Sequence, residues 1–313
     1  MMRWLLVAGV LLSAVASASA QTVLRVGDQK GNSQAVMQAA GVLKDVPYQI
    51  EWKEFPAAAP LLEALGAGAI DTGLVGDAPF TFAAAANVPV KAIGTIRQSN
   101  EGLAILVPRD SKIHSFEDLK GKKIATGRGS IGHQLILAAL ESKGWRPDDV
   151  QIVFLAPSDA KVAYTQGSVD AWSTWEPYVS QEEVLFQSVR VITAEGITPG
   201  LGFQVASPDA IRDKRSALED FLRRLTTARA WSLSNVGAYA ETWGKLMNIP
   251  PAVPLNWLSR AKIHVAPIDD SVVAGEQQTI DLYFRAGLIK QKLNAADIVD
   301  RSFSEAIGKG TGL

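Results

Sequence analysis

The chain has 313 residues, 31 Lys and Arg against 32 Asp and Glu for a formal charge of −1, and no cysteine. A balance so close to neutral, with no basic clusters, excludes a nucleic-acid binder. The lack of thiols excludes disulfides and attachment through a lipidated N-terminal cysteine.

Residues 1–20 read as an export signal: Arg3 supplies the positive start, Trp4 to Val15 the apolar run, and Ala18-Ser19-Ala20 the small-residue cleavage site. The run falls short of the roughly 20 residues that cross a bilayer, so cleavage before Gln21 is expected rather than anchoring. What remains is larger than one hydrophobic core usually supports, and two lobes are expected.

In chain order, Val23 to Gly27 reads as a strand, Ser33 to Lys44 as a helix, Gln49 to Lys53 as a strand and Pro60 to Leu65 as helix. Then come Ile70 to Val75, a helix from Pro79 and a strand around Val90 to Ile96. This alternation predicts an α/β lobe with a largely parallel sheet. The plan repeats: strand Lys123 to Thr126, helix Ile131 to Lys143, strand Gln151 to Leu155, helix Asp159 to Gln166. One offset superimposes Gly68-Ala69-Ile70-Asp71 on Gly167-Ser168-Val169-Asp170 and Asp77 on Glu176. Leu103 to Val107 and Phe203 to Ala206 are expected to cross between the lobes as a two-strand hinge. Thereafter the chain reads as helical, opening on a capping box, Ser216-Ala217-Leu218-Glu219. These helices are expected to return to the first lobe, giving lobe 1 as 21–104 with 206–313 and lobe 2 as 105–205.

Ligands of open α/β sheets sit beyond the carboxyl ends of strands, where helix N-termini offer unpaired N–H groups. Four such junctions occur: Gln29 to Ser33, Gly76 to Pro79, Gly127 to Ser130, and Trp175 to Tyr178. If they converge, they form an anion trap. In the third, glycines allow close backbone approach, Arg128 adds a forked permanent charge and Ser130 a hydroxyl; an ordinary N-cap at Ser130 beside a solvated arginine reads equally well. Gln29 is a candidate donor from the opposite lobe, ahead of Lys30. Asp77 reads as the N-cap of the helix containing Pro79, or as the receiver of a zwitterion's amino group, and Glu176 would repel an anion. Trp172 and Trp175 are candidates for the ligand's carbon chain, or core packing.

No catalytic or metal centre is legible. His114, His133 and His264 are the only histidines, Ser130 lacks a nucleophile elbow, and neither a zinc motif nor a phosphate or dinucleotide loop is present. His133 reads as a neutral imidazole at the start of its helix. No cofactor is expected.

These junctions resemble the substrate-binding proteins of aliphatic sulfonate ABC importers and their taurine- and nitrate-binding relatives. The resemblance covers nearly all of the mature chain. It rests on Leu24-Arg25-Val26-Gly27 with Gln29-Lys30-Gly31, Glu54-Phe55-Pro56, Leu62-Glu63-Ala64-Leu65, Gly76-Asp77-Ala78-Pro79, Gly129-Ser130 with His133, Val169-Asp170-Ala171-Trp172 and Trp175-Glu176-Pro177-Tyr178. Asp118-Leu119-Lys120-Gly121 is common across the fold and says little about cargo.

The resemblance implies a type II periplasmic-binding-protein fold, two α/β lobes joined by a two-strand hinge, with sulfonate held between them by Gln29, Asp77, Arg128, Gly129, Ser130, Trp172 and Glu176. It also implies a monomer in the periplasm that delivers alkanesulfonate to an ABC permease of the inner membrane. Two stretches depart from the family's pattern: the loop from Arg128 to Gly132 carries fewer hydroxyls, and Arg97 to Glu101 differs. Nitrate, taurine or a heterocyclic vitamin precursor are the alternative cargoes, and a secreted enzyme on the same scaffold is the alternative of another class.

Overall fold

A computed structural model describes residues 21–311; the export signal lies outside the described residues. The strands are β1 (Val23–Gln29), β2 (Gln49–Phe55), β3 (Thr72–Gly76), β4 (Lys91–Arg97), β5 (Leu103–Val107), β6 (Lys123–Thr126), β7 (Gln151–Phe154), β8 (Ala171–Trp175), β9 (Val189–Thr193), β10 (Leu201–Ala206) and β11 (His264–Ala266). They form two sheets, ordered β11-β4-β10-β3-β1-β2 and β7-β6-β8-β5-β9.

β1 pairs in parallel with β2 and β3, and β6 with β7 and β8. Each sheet also takes in an antiparallel strand: β10 lies between β3 and β4, and β5 between β8 and β9. The sheets are therefore mixed, where sequence periodicity predicted largely parallel ones. A strand by which the chain enters a sheet, β5 or β10, arrives from the ligand edge and must run against the strands that end there.

The two segments expected to span the lobes each stay within one sheet. β5 and β10 have ladder partners on both sides, which satisfies their backbone groups. The chain instead passes between sheets at 98–102 and at 194–200, short stretches with a single 3-10 turn at Asn100–Gly102.

Helices cover both sheets. One core gathers Leu24, Val36 and Met37 with Phe221, Leu225 and Trp243, so the late helices Arg215–Ser232 and Val236–Met247 do return to the first sheet. A separate core under the second sheet is built on Ile105, Ile124, Leu135 and Leu140. The capping box is absent. Helix Arg215–Ser232 starts two residues early, with Lys214 as its N-cap, placing Ser216 inside its first turn with no side-chain cap. Lys214 is held there by its ammonium, 2.7 Å from both Asp71 Oδ2 and the Val23 carbonyl. No helix among the described residues is long and apolar enough to cross a membrane.

Helix Asp270–Arg285 touches both halves. Its Thr279 binds Asp77 beside the first sheet, and its Tyr283 hydroxyl donates to the Ser130 carbonyl beside the second, at 3.0 Å. On the far side, helix Ala252–Ala261 meets helix Tyr178–Phe186, where Asn256 Nδ2 donates to Ser180 Oγ at 3.2 Å and to Glu183 Oε2 at 3.0 Å.

Candidate functional site

The carboxyl ends of β1, β3 and β4 face those of β6, β7 and β8 across a cavity of about 600 Å³. All four sequence-identified junctions contribute to its wall, because each follows a strand that ends at this edge. Phe82, Phe154, Trp175, Leu201 and Trp257 give it an apolar interior.

The Gly127–Ser130 loop connects β6 to helix Ile131–Ser142. Gly129 adopts φ +69°, and a Cβ there would lie 2.7 Å from Phe82 Cγ on the opposite wall, so both conformation and space require glycine. Ser130 is the N-cap: its Oγ accepts the His133 N–H at 3.2 Å and donates to the Gly127 carbonyl at 2.7 Å. The Gly129 N–H donates to His133 Nδ1 at 3.2 Å. Both groups are thus committed inside the loop, and the amides of Ile131 and Gly132, which no carbonyl within the helix can reach, are the helix donors left over.

His133 is 1 % exposed and sits edge-on to Phe154. Burial, and then the neighbouring Arg128 charge, push its pKa down to about 4, so the ring is neutral and serves as acceptor for the loop. Arg128 itself is exposed and stacks on Phe154, with Cζ 3.9 Å from the ring centroid. No carboxylate pairs with it among the described residues. The stacked guanidinium keeps its N–H edge available for an anion.

Asp77 lines the cavity but is 1 % exposed and fully engaged. Its carboxylate accepts the Ala78 N–H at 2.8 Å, Gln134 Nε2 at 3.0 Å and Thr279 Oγ1 at 2.9 Å. Gly76, not Asp77, is the N-cap of helix Asp77–Ala85. Burial pushes the Asp77 pKa up, and the same cause together with Asp77 pushes that of Glu276, which Thr81 contacts, well above the ordinary range.

Gln29 also lies in the wall, with Nε2 donating to the Leu74 carbonyl at 2.6 Å. Glu176 lines the cavity beyond β8. Its Oε2 accepts the Ser180 N–H at 3.0 Å and its Oε1 the Ser180 hydroxyl at 2.9 Å. Burial pushes its pKa up to about 8.

Trp172 stands apart from the other candidates. It is 1 % exposed and packs between Tyr164 and Tyr178, behind β8 and away from the cavity. Trp175, three residues later at the strand end, is the tryptophan of that pair on the cavity wall. Sequence reasoning missed Phe82, Phe154 and Trp257. Phe154 ends β7, so the strand-end rule applied once more would have found it. Trp257 arrives from a helix more than 80 residues downstream of β8, and no local signal marks it.

Comparison with known proteins places these features in a family. Residues 49–235 match the family model described as NMT1/THI5 like. The alkanesulfonate-binding protein SsuA from Xanthomonas axonopodis pv. citri, solved bound to MOPS, superimposes with a TM-score of 0.84 at 31% identity, over 90% of this chain and 99% of that one. The periplasmic aliphatic sulphonate binding protein SsuA from Escherichia coli gives 0.79 at 31% identity, over 89% and 92%. The taurine-binding periplasmic protein of Escherichia coli (strain K12) is 32% identical across 74% of this chain and 72% of its own length.

Proposed function

This chain belongs to the NMT1/THI5-like family, and from that premise we propose that it captures aliphatic sulfonates in the cavity between its two sheets, as the substrate-binding component of an ABC import system. The observation that carries the reading is Arg128: a guanidinium that no carboxylate pairs with among the described residues, held by Phe154 on the cavity wall beside the free amides of Ile131 and Gly132.

A sulfonate is ionised at every physiological pH and only accepts hydrogen bonds. A guanidinium fork and free helix amides supply donors alone, which suits it. Phe82, Trp175 and Trp257 would cover the carbon tail, for which burial contributes about 25 cal/mol per Å². The relatives named above are alkanesulfonate-, aliphatic sulphonate- and taurine-binding proteins, the two from Escherichia coli periplasmic, and a periplasmic monomer that hands its cargo to an inner-membrane permease is the corresponding reading here.

The acids buried in the cavity wall are engaged in structure: Asp28 accepts the Ser33 and Gln34 N–H groups, Asp77 takes three hydrogen bonds and Glu176 two from Ser180, while His133 behind the wall accepts from the loop. That favours binding over turnover. We assign the first sheet and its helices, 21–97 with 201–311, to lobe 1 and 103–193 to lobe 2, in place of the expected divisions within β5 and at 206, so that closure on the passages at 98–102 and 194–200 dries the head-group contacts and strengthens them. Titration calorimetry with ethanesulfonate, octanesulfonate, taurine, nitrate and sulfate tests the function. Heat from the alkanesulfonates is expected, and silence from every sulfonate would end it.

A further inference from the structure

Helix Ala252–Ala261 carries a piece of the cavity wall and a contact with the other lobe on neighbouring residues. Trp257 lines the cavity, and its ring lies against the passage at 98–102: a Cβ on Gly102 would come 2.8 Å from Trp257 Cη2. Asn256 and Arg260 reach across to helix Tyr178–Phe186 of the second lobe. Asn256 Nδ2 donates to Ser180 Oγ at 3.2 Å and to Glu183 Oε2 at 3.0 Å, and Arg260 Nη2 donates to the same Glu183 oxygen at 3.4 Å.

Glu183 is also held from its own lobe, where Arg190 donates to both its oxygens, with Nη2 2.6 Å from Oε2. Arg190 Nη1 donates to the Glu101 carbonyl at 2.9 Å, and Arg260 Nε lies 3.1 Å from the Glu101 carboxylate. Two arginines and two glutamates thus alternate beside the passage: Arg260 from the first lobe, Arg190 and Glu183 from the second, and Glu101 from the passage itself. Their side chains are between 16% and 38% exposed, so salt and water screen them less than a surface pair. Arg285 and Glu141 also pair across the lobes, but at 56% and 53% exposure, where an ion pair contributes little.

The cluster joins the cavity at two points. Ser180, which accepts from Asn256, donates its own proton to the cavity-wall acid Glu176 at 2.9 Å. Trp257 follows Asn256 and precedes Arg260 by less than one helical turn, so a shift of the ring carries both residues with it. Arg128 leaves β6 and Gly102 leads into β5, with β8 between them, a span of about two strand spacings, on the order of 10 Å. A two-carbon tail anchored at Arg128 stops short of Trp257, whereas an eight-carbon tail reaches it.

We propose, resting on the sulfonate reading, that helix Ala252–Ala261 is a tail-sensing latch: a long cargo tail against Trp257 seats the helix so that Asn256 and Arg260 hold Glu183 and keep the cleft shut. Arg260 is a positioning residue that touches no cargo. It sets how long a long-tailed sulfonate stays, not how fast it enters, because the latch forms after the cargo has arrived.

Stopped-flow tryptophan fluorescence with ethanesulfonate and octanesulfonate tests the latch on the wild type, Arg260→Met and Asn256→Ala. Arg260→Met should speed octanesulfonate dissociation at least about tenfold, leave its association within about threefold, and change ethanesulfonate dissociation by less than about threefold. Asn256→Ala, which removes two cross-lobe hydrogen bonds from a half-exposed position, should act in the same direction. Arg285→Met, which removes the exposed pair with Glu141, should leave both dissociation rates unchanged. Unchanged octanesulfonate dissociation in Arg260→Met and Asn256→Ala overturns the latch, and equal acceleration of both sulfonates overturns the sensing of the tail; either result leaves sulfonate binding standing. Binding of neither sulfonate to the wild type overturns the sulfonate reading with it.

Discussion

Gln134 Nε2 lies 3.0 Å from Asp77 Oδ2, a hydrogen bond that ties a helix of the second sheet to the first helix turn beyond β3. The same nitrogen is 2.8 Å from Thr279 Oγ1, so three helices meet at one buried carboxylate. The contact explains why Asp77 reaches the cavity wall without offering an oxygen to the cargo: it fixes how the two walls face each other.

Removing that tie leaves Asp77 buried with one partner fewer. Gln134→Leu is expected to lower stability by about 1–3 kcal/mol, the cost of an unsatisfied buried group, read from urea unfolding with unchanged slope. Sulfonate affinity should fall by less than for a head-group variant, because the Arg128 contact is intact.

Arg128→Ala is expected to weaken alkanesulfonate binding by about 1.5–3 kcal/mol, the range for hydrogen bonds to charged groups, with the far-ultraviolet spectrum unchanged. Arg128→Lys should recover only part of the loss, since an ammonium offers neither the planar fork nor the stacking on Phe154. Unchanged affinity in folded Arg128→Ala removes this residue from the site.

Tail length should matter. Each added methylene in a linear alkanesulfonate is expected to contribute about 0.8 kcal/mol until the apolar wall is covered, measured as a series of dissociation constants from ethane- to octanesulfonate. A flat series would place the tail in solvent rather than against Phe82 and Trp257.

Acidity should act on stability more than on head-group binding. Glu276 has a folded pKa raised well above its ordinary value, by burial and by Asp77. A raised carboxyl stabilises the fold fully below the ordinary carboxylate range, and that contribution is lost as pH rises through the folded value. The melting temperature should therefore be higher at pH 5.5 than at pH 8, and Glu276→Gln, which can still accept from Thr81, should flatten the difference by roughly 2–4 °C per kcal/mol. His133, pushed down to about 4, stays neutral throughout, so affinity for plain alkanesulfonates should be level from pH 5.5 to 7. It should weaken above about 8, where Glu176 ionises facing an anion.

Much of this site was legible because its residues share a position rather than a motif. Gln29, Asp77, Arg128 to Ser130 and Glu176 all follow strands that end at one edge, and strand ends are visible in hydrophobic periodicity. Roles within the edge were less legible. Ser130 is an N-cap whose hydroxyl is spent on Gly127 and His133, the plainer of its two sequence readings. Trp172 and Trp175 lie three residues apart on one strand, β8, which places them on opposite faces, and the ligand-facing one depends on which face carries the helix. The strands β5 and β10 look like connectors because each stands alone between two βα series; only their ladder partners reveal that they are built into the sheets. Trp257 depends on the return of a distant helix, which local pattern does not encode.

The most direct measurement is the anomalous sulfur signal in a crystal of the protein loaded with an alkanesulfonate. The peak is expected beyond the Gly127–Ser130 loop, with sulfonate oxygens within hydrogen-bond distance of the Arg128 guanidinium and the tail against Phe82 and Trp257. A sulfur peak on the outer surface, or inside the cavity with Arg128 turned to bulk solvent, would contradict the account.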